Sequence, residues 1–267
     1  MNTVPLCWIN FYKWSYTRCL AEIESKISDK TTALIVTPNP EMLYEASHDA
    51  ELHSILAWAD YALPDGAGIF VAYQACNSTL PTALKYAAFP YWCIKAVLHG
   101  KKIKQKYGER ITGSRLTRDI LGFAEGRGIP VTIIDPIVHG NSLGDKLKRR
   151  AQEKMTTKLR EIYPHLNLNI IISDTAPQDI TRNSVVLATH GNGKQEKLLA
   201  QLIQNIPNAW VALGIGGSID IITGFRKSTP SLLQRFGFEW LYRLVQHPTR
   251  HAKRMRKVLS FLFSCIG

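Results

Sequence analysis

Short apolar runs alternate with amphipathic segments along most of this chain, and this alternation constrains the fold more than any other feature. The runs are TALIVT, DYALPDG, IPVTIID, LNIIIS, SVVLAT and AWVALGIGG. Residues 17–28, 40–59 and 144–162 have instead the apolar spacing of helices. Strands that alternate with helices form a largely parallel sheet covered by helices on both faces. The sequence therefore predicts an α/β fold with a mostly parallel, Rossmann-like sheet flanked by helices.

Polar residues and glycines follow several of these predicted strands. Thr37 and Asn39 lie in a Thr-Pro-Asn-Pro turn, and Asp65 lies in Leu-Pro-Asp-Gly. Glycine-rich turns at 189–196 and 212–220 follow two later strands. Ligands of such sheets bind outside the carboxyl ends of the strands. We therefore expect these residues to converge on one crevice.

Asp65 is the candidate catalytic residue of this crevice. Pro-Asp-Gly alone is a common turn and indicates function only weakly. The preceding turn strengthens the indication, because its two prolines fix the backbone that carries Thr37 and Asn39. An aspartate that faces a fixed hydroxyl across a crevice is suited to act as a general base.

The two glycine-rich turns are candidates for binding phosphate. Glycines allow backbone amides to approach an anion, and a helix that starts after the turn favours it. Each turn taken alone is more often only a tight turn. Neither matches the dinucleotide fingerprint or the Walker pattern. Gln195 and Asp220 add polar groups at this edge of the crevice.

The charge indicates an anionic partner. The chain has 267 residues, 45% of them hydrophobic, and a net charge of +12. A nucleic acid, an acidic membrane surface or a phosphate-bearing substrate fits this charge. A basic nucleic-acid-binding protein is an alternative, although no recognised motif supports it. A dinucleotide-dependent oxidoreductase is less favoured, because no glycine fingerprint follows the first strand.

The five cysteines indicate a reducing compartment. Their number is odd and no Cys-x-x-Cys pair occurs, which argues against a disulfide framework and against a structural zinc site. The N-terminus lacks the pattern of a secretory signal, and no apolar stretch is long enough to cross a bilayer. No Asp-x-Asp pair is present to hold a metal-bound diphosphate, so we expect no metal.

Two segments depart from the alternating pattern. Residues 79–109 mix aromatic and apolar side chains with lysines, and residues 238–263 form a basic, aromatic-rich helical stretch interrupted at Pro248. Aromatic residues beside lysines suit the interface of an anionic bilayer. The alternative is a helix packed on the core or on another subunit of a homo-oligomer. We predict a core at 1–227 and a membrane-associating appendage at 228–267.

Several blocks of the sequence together resemble the WecG/TagA/CpsF glycosyltransferases. The blocks are TPNPEML (37–43), ADYALPDGAG (59–68), RITGSRL (110–116), GNGKQE (191–196), GIGGSID (214–220) and FEWLYRLVQHPTR (238–250). The resemblance implies an inverting transferase that takes a sugar, N-acetylmannosamine or a related hexose or uronic acid, from a UDP-sugar. It implies an undecaprenyl-diphosphate-linked sugar as the acceptor, at the inner face of the cell membrane. It implies no cofactor and no nucleic acid partner.

The same resemblance implies roles for individual residues of the first half of the chain. Asp65 is similar in position to the family's catalytic base, which takes the proton of the acceptor hydroxyl. Thr37 and Asn39 match the residues that shape the pocket beside this base. Arg110 matches an arginine that binds phosphate.

Four further positions carry implied roles in the second half of the chain. Gln195 matches a pocket residue, and Asp220 matches a contact to the nucleoside end of the donor. Arg243 and Arg250 fall in the appendage, which in the family completes the active site and touches the membrane. All four are therefore expected to bind substrate.

Overall fold

A computed structural model gives the fold in two compact units, each assembled from separate stretches of the chain. The first unit contains Met1–Thr17, Thr37–Thr112 and Thr229–Gly267, and the second contains Arg18–Val36 and Gly113–Ser228. The residues that the structure describes are 3–98, 101–139, 143–177, 180, 184–205, 209–227, 229–230, 233, 242, 245 and 248–266.

The elements are numbered along the chain. The strands are β1 (Thr3–Leu6), β2 (Ile9–Tyr12), β3 (Ala33–Val36), β4 (Tyr61–Ala62), β5 (Val131–Asp135), β6 (Leu168–Ile172), β7 (Ser184–Ala188) and β8 (Ala209–Gly214). The helices are α1 (Tyr16–Ser28), α2 (Pro40–Ala46), α3 (Ala50–Trp58), α4 (Ala67–Cys76), α5 (Thr82–Leu98), α6 (Lys101–Tyr107), α7 (Gly113–Arg127), α8 (Leu143–Ile162), α9 (Lys194–Asn205), α10 (Ser218–Ile222) and α11 (Pro248–Ser264).

The second unit contains a parallel sheet. Its strands lie side by side in the order β3, β8, β7, β5 and β6, and each neighbouring pair is parallel. Strands β3, β5 and β7 are buried at every position. Continuous apolar runs such as ALIV and SVVLA are typical of parallel strands covered on both faces. The predicted α/β class with a mostly parallel sheet is confirmed.

The first unit is held together by an aromatic core. Its N-terminal strands β1 and β2 form an antiparallel hairpin, which the sequence pattern does not predict. Tyr73 of α4 is fully buried, stacks on Tyr107 with ring centroids 4.7 Å apart, and contacts Phe11 at 6.0 Å. Its hydroxyl donates to the carbonyl oxygen of Val4 at 3.3 Å. One side chain therefore joins the hairpin, α4 and α6.

The helical segment predicted after β3 is divided into two helices. The stretch from Pro40 to Ala59 has continuous helical spacing, but α2 ends at Ala46 and α3 begins at Ala50. Asp49 has extended backbone angles, and its side chain accepts a hydrogen bond from the backbone N–H of Leu52 at 3.1 Å. An aspartate N-cap starts a new helix at this point.

Both departing segments contain helices. The segment at 79–109 contains α5 and α6, and α5 packs on α4. The C-terminal helix α11 begins at Pro248 and packs on α2 and α4. Among the described residues, the structure contains no helix of the length and apolarity that a bilayer span requires. Membrane association of the appendage stays a prediction.

Candidate active site

The loop between β3 and α2 is fixed by its own sequence. Thr37 is buried, with 9% of its surface exposed. Asn39 is the N-cap of α2, and its side-chain oxygen accepts a hydrogen bond from the backbone N–H of Met42 at 3.0 Å. Pro40 occupies the start of the helix, where its missing N–H costs no hydrogen bond. The loop therefore holds Thr37 and Asn39 in defined positions.

Asp65 lies against this loop. Its backbone N–H donates to the carbonyl oxygen of Pro38 at 3.2 Å, and its side chain is partly exposed. Helix α4 starts two residues later, at Ala67. A Cβ added to Gly68 of α4 would lie 2.6 Å from Cγ of Pro40, so only glycine permits this close approach of α4 to α2. The sequence Pro-Asp-Gly-Ala-Gly thereby places the backbone of Asp65 beside the Thr37–Asn39 loop.

Arg110 lies on a segment that is fixed to the same loop. The N–H of the following residue, Ile111, donates to the carbonyl oxygen of Pro64 at 3.1 Å. The preceding residue, Glu109, donates its N–H to Trp14 O at 2.9 Å, and its Oε2 accepts from Tyr16 N at 2.8 Å. These bonds place Asp65 and the Arg110 segment beside the Thr37–Asn39 loop in the first unit. The catalytic and substrate-binding roles expected of these residues stay predictions.

In the second unit, Gln195 connects the two glycine-rich turns. The side chain is 3% exposed, and its Oε1 accepts from the N–H of Gly191 at 3.2 Å and from that of Gly216 at 3.0 Å. Its Nε2 donates to Oε1 of Glu196 at 2.9 Å. A Cβ added to Gly214 would lie 2.6 Å from Cδ of Gln195, so this amide lies directly over the end of β8.

These contacts correct the expectation for the glycine turns. The amides of Gly191 and Gly216 already donate to Gln195, and the amide of Gly193 donates to Oε2 of the buried Glu196 at 2.7 Å. These three donors face the protein, so they do not form the expected phosphate cradle. The buried amide and carboxylate side chains of α9 satisfy them instead.

Asp220 provides a second polar feature in this unit. It lies in α10, and its Oδ2 is 3.7 Å from the Arg226 guanidinium, with both side chains partly exposed. The Arg226 guanidinium also covers Gly217. Burial raises the pKa of the Asp220 carboxyl above its ordinary value, Arg226 lowers it, and the Asp135 carboxylate raises it further. Asp220 and Arg226 are therefore available to a ligand at this edge.

The sequence pattern did not single out Asp135. It is the last residue of β5 and is buried, and its carboxylate accepts hydrogen bonds from the hydroxyl of Thr189 and from Nε2 of Gln152. Beside it, Nε2–H of His190 donates to the carbonyl oxygen of Ser173 at 2.7 Å, while its Nδ1 is buried without a partner among the described residues. Asp135 lies at the end of a strand, as the predicted site residues do, so its position in the sequence could have identified it.

The C-terminal helix reaches the candidate site through α2. Lys257 of α11 contacts Oε1 of Glu45 at 2.6 Å, and Arg254 contacts Oε1 of Glu41 at 3.4 Å. The hydrogen bond to Glu45 raises the pKa of Lys257. Two basic residues of the predicted membrane-associating appendage thus pair with α2, the helix whose N-cap is Asn39.

The two predicted arginines of the appendage are incompletely placed. Arg243 lies outside the described residues, and Arg250 lies in the first turn of α11 with a side chain outside the described part of the structure. Their expected substrate contacts stay predictions.

The sequence was compared with known proteins. The chain matches the profile of the glycosyl transferase WecG/TagA/CpsF family over residues 4–95 and 93–267. It belongs to this family. This WecG/TagA/CpsF chain is thus a glycosyltransferase, which confirms the predicted resemblance and enzyme class. The alternatives of a nucleic-acid-binding protein and an oxidoreductase lose their support.

Two relatives carry the same name, N-acetylglucosaminyldiphosphoundecaprenol N-acetyl-beta-D-mannosaminyltransferase. The relative from Bacillus spizizenii strain W23 is 27% identical over 266 residues, covering 97% of this chain and 88% of its own. The relative from Bacillus subtilis strain 168 is 24% identical over 249 residues, covering 90% and 81%. The similarity therefore extends through both units of this WecG/TagA/CpsF protein.

Proposed function

We propose that this glycosyltransferase moves a sugar, N-acetylmannosamine or a related hexose or uronic acid, from a UDP-sugar to a lipid-diphosphate-linked acceptor sugar. The names of the two relatives support the transferred sugar and the acceptor, because both act on N-acetylglucosaminyldiphosphoundecaprenol. The net charge of +12 suits a donor and an acceptor that each carry a diphosphate.

The observation that carries the proposal is the position of Asp65. Its backbone is hydrogen-bonded to the Thr37–Asn39 loop. The segment that carries Arg110 is hydrogen-bonded to Pro64, the residue before Asp65. A carboxylate and a guanidinium held on rigid backbone suit a reaction in which a proton leaves one oxygen while negative charge develops on another.

The proposed step is a single displacement. The Asp65 carboxylate takes the proton of the acceptor hydroxyl, whose oxygen forms a bond to the anomeric carbon of the donor. The bond from this carbon to the UDP oxygen breaks, and UDP leaves with both bonding electrons. Attack opposite the leaving group inverts the anomeric configuration. Arg110 offsets the charge on the departing diphosphate.

The second unit is proposed to bind the nucleotide. Asp220 accepts hydrogen bonds at the uracil-nucleoside end, and the neighbouring Arg226 meets a phosphate. The partial exposure of this pair and the charge on the guanidinium support these roles. Gln195 is proposed to contribute indirectly. Its side-chain oxygen already accepts from the amides of Gly191 and Gly216, so it holds the two glycine-rich turns in place.

We further propose that the first unit lies on the inner face of the cell membrane. Helix α5 carries exposed apolar side chains at helical spacing; these form the α5 stripe, Leu84, Tyr91, Ile94 and Leu98. Each is more than half exposed. An exposed apolar stripe of this kind marks a membrane or protein interface.

The C-terminal helix adjoins the segment that carries the α5 stripe. Phe263 of α11 is partly exposed, and its ring centroid lies 5.2 Å from that of Phe89 and 6.0 Å from that of Tyr86. Exposed Lys253 and Arg256 precede Phe263 on α11. Basic and apolar side chains on one helix favour the interface of an anionic bilayer.

A basic cavity opens beside α5 and α6. It measures about 370 Å³, and its lining includes Lys95, Lys102 and Lys106 together with Trp92 and Tyr107. Ammonium groups around an aromatic-lined cavity suit a phosphate head group. The cavity thereby supports attachment to an anionic lipid surface.

A donor and acceptor panel tests the proposed reaction. The purified protein is incubated with several UDP-sugars and an undecaprenyl-diphosphate-linked N-acetylglucosamine analogue, and the lipid product and released UDP are measured. We expect product from UDP-N-acetylmannosamine or a related UDP-sugar and none from a free N-acetylglucosamine acceptor. Absence of transfer from every UDP-sugar, in protein that retains its fold by circular dichroism, would refute the proposal.

A further inference from the structure

Three cysteines from distant parts of the sequence meet in the first unit. Cys7 lies in the turn between β1 and β2, Cys76 ends α4, and Cys265 follows α11. Their sulfur atoms all lie within 4.8 Å of one another, and all three are free thiols. The hairpin, the end of α4 and the end of the C-terminal helix therefore converge on one group of sulfurs.

The spacing of the sulfurs suits one metal ion. Zinc binds thiolate at about 2.3 Å, so two sulfurs of a tetrahedral site lie roughly 3.8 Å apart. Three sulfurs that are each close to the other two occupy three corners of such a site. A disulfide needs only two sulfurs and gives no reason for the third. Cys7 and Cys76 are exposed, so a water molecule has access to the fourth corner.

The backbone at Cys7 supports a role for its thiol. Its φ is +53°, in the left-handed region that glycine or asparagine usually occupies in a two-residue hairpin turn. A cysteine is strained in this conformation, whereas glycine would form the same turn without strain. Such strain is retained where the side chain has a function.

The surrounding charge suits a group of thiolates. The Lys85 ammonium lies near Cys76. Three thiolates and one divalent cation carry a net charge of minus one, which this lysine offsets.

We propose that Cys7, Cys76 and Cys265 bind one thiophilic divalent cation of the Zn²⁺ class through three thiolates, with the fourth position open to water. Binding releases the three thiol protons to solvent and involves no change of oxidation state. The ion cross-links the N-terminal hairpin and α4 to the C-terminal end of α11. It thereby fixes the end of α11. Helix α11 packs on α2, and Asn39 is the N-cap of α2.

The test uses the full-length, reduced and metal-free protein. Co²⁺ is added without oxygen, the thiolate-to-metal absorption is recorded, and Zn²⁺ is then added in competition. We expect about one ion per chain, displacement of Co²⁺ by Zn²⁺, and a higher melting temperature with Zn²⁺. Cys7→Ser and Cys76→Ser change exposed side chains, so we expect both variants to fold. Each should lose the absorption and the rise in melting temperature.

Cys93→Ser is the matched control, because Cys93 is a free cysteine of the same unit outside the cluster. It should bind Co²⁺ as the wild type does. Loss of binding in Cys93→Ser equal to that in Cys7→Ser would overturn the site, as would the absence of a thiolate band in the wild type. The wild type could instead lose two titratable thiols in air and bind no ion when reduced. That result would show a disulfide and would overturn the metal site.

Discussion

The backbone N–H of Asp65 donates a hydrogen bond to the carbonyl oxygen of Pro38 at 3.2 Å. This bond joins the Pro-Asp-Gly turn to the Thr-Pro-Asn-Pro turn, which are separated in sequence by α2 and α3. The proposed base therefore depends on the conformation of the loop that carries Thr37 and Asn39. Changes in this loop should alter catalysis even where they leave Asp65 itself unchanged.

Two N-cap residues allow this dependence to be measured. Asn39 caps α2 and Asp49 caps α3, with hydrogen bonds of 3.0 and 3.1 Å to the residue three positions later. Alanine at either should lower the free energy of unfolding by about 1 kcal/mol. Only Asn39→Ala should also lower kcat, by roughly tenfold to 100-fold, because only that cap lies in the loop beside the proposed base. Equal kcat in the two variants, measured after stability is matched by urea unfolding, would remove Asn39 from the site.

Gln195→Ala should act mainly on stability. The substitution leaves the amides of Gly191 and Gly216 without their acceptor, and an unsatisfied buried donor costs about 1–3 kcal/mol. Gln201→Ala, at an exposed position of the same helix, is the control and should change stability by less than about 0.5 kcal/mol. Thermal and urea unfolding of both variants tests this expectation. A Gln195→Ala protein of normal stability but without UDP affinity would show that the amide binds the nucleotide directly.

Asp220→Asn should lower UDP affinity without lowering stability, which is the reverse of the effect expected for Gln195→Ala. The folded-state pKa of Asp220 is raised above its ordinary value of 3.8, so the folded protein holds this proton more tightly than the unfolded chain. The wild type therefore loses stability as pH rises from about 3.8 through the folded-state pKa. Relative to the wild type, the asparagine variant should gain stability above this window and not below it. UDP affinity, measured by calorimetry, should nevertheless fall.

A contrary outcome for Asp220 is equally specific. A variant that loses stability at neutral pH and keeps its UDP affinity would identify the pair with Arg226 as structural.

Removal of the α5 stripe should weaken membrane binding. Full burial of an isoleucine-sized side chain contributes about 1.5–3 kcal/mol, so Tyr91→Ser with Ile94→Ser should lower partitioning into anionic liposomes by at least roughly tenfold. Leu143→Ser with Leu147→Ser removes equally exposed apolar residues from α8 and is the control. Binding should also fall at high salt, because the basic residues contribute through screened charge.

The subunit alternative has a different signature. If the α5 stripe covers a second copy of the chain, the Tyr91/Ile94 variant should change the mass in light scattering while liposome binding stays at the wild-type level. That result would contradict the membrane proposal.

Local sequence patterns predicted the strands and the strand-end positions because these depend on short-range periodicity. The sheet of the second unit and the placement of Asp65 beside Thr37 follow from it. The break between α2 and α3 was also readable, since Asp49 is a helix-starting residue. It was missed because the apolar spacing continues across the break.

Contacts between residues distant in sequence were not predictable in the same way. Polar Gln195 at the start of a helix looks like a ligand contact until the turns on either side are seen to donate to it. The cysteines were judged by their spacing, which argued against zinc, although Cys7, Cys76 and Cys265 meet only through the tertiary fold. The expectation that no metal binds therefore stays a prediction that the Co²⁺ titration can decide.

The central claim is that Asp65 takes the proton of the acceptor hydroxyl. The direct measurement compares Asp65→Asn with the wild type in single-turnover transfer to the lipid-linked N-acetylglucosamine analogue, with UDP affinity and melting temperature recorded on the same samples. Loss of a general base lowers the rate by roughly 10²–10⁴. We predict a loss of this size with UDP affinity and melting temperature nearly unchanged. A variant that folds, binds UDP and transfers sugar at close to the wild-type rate would contradict it.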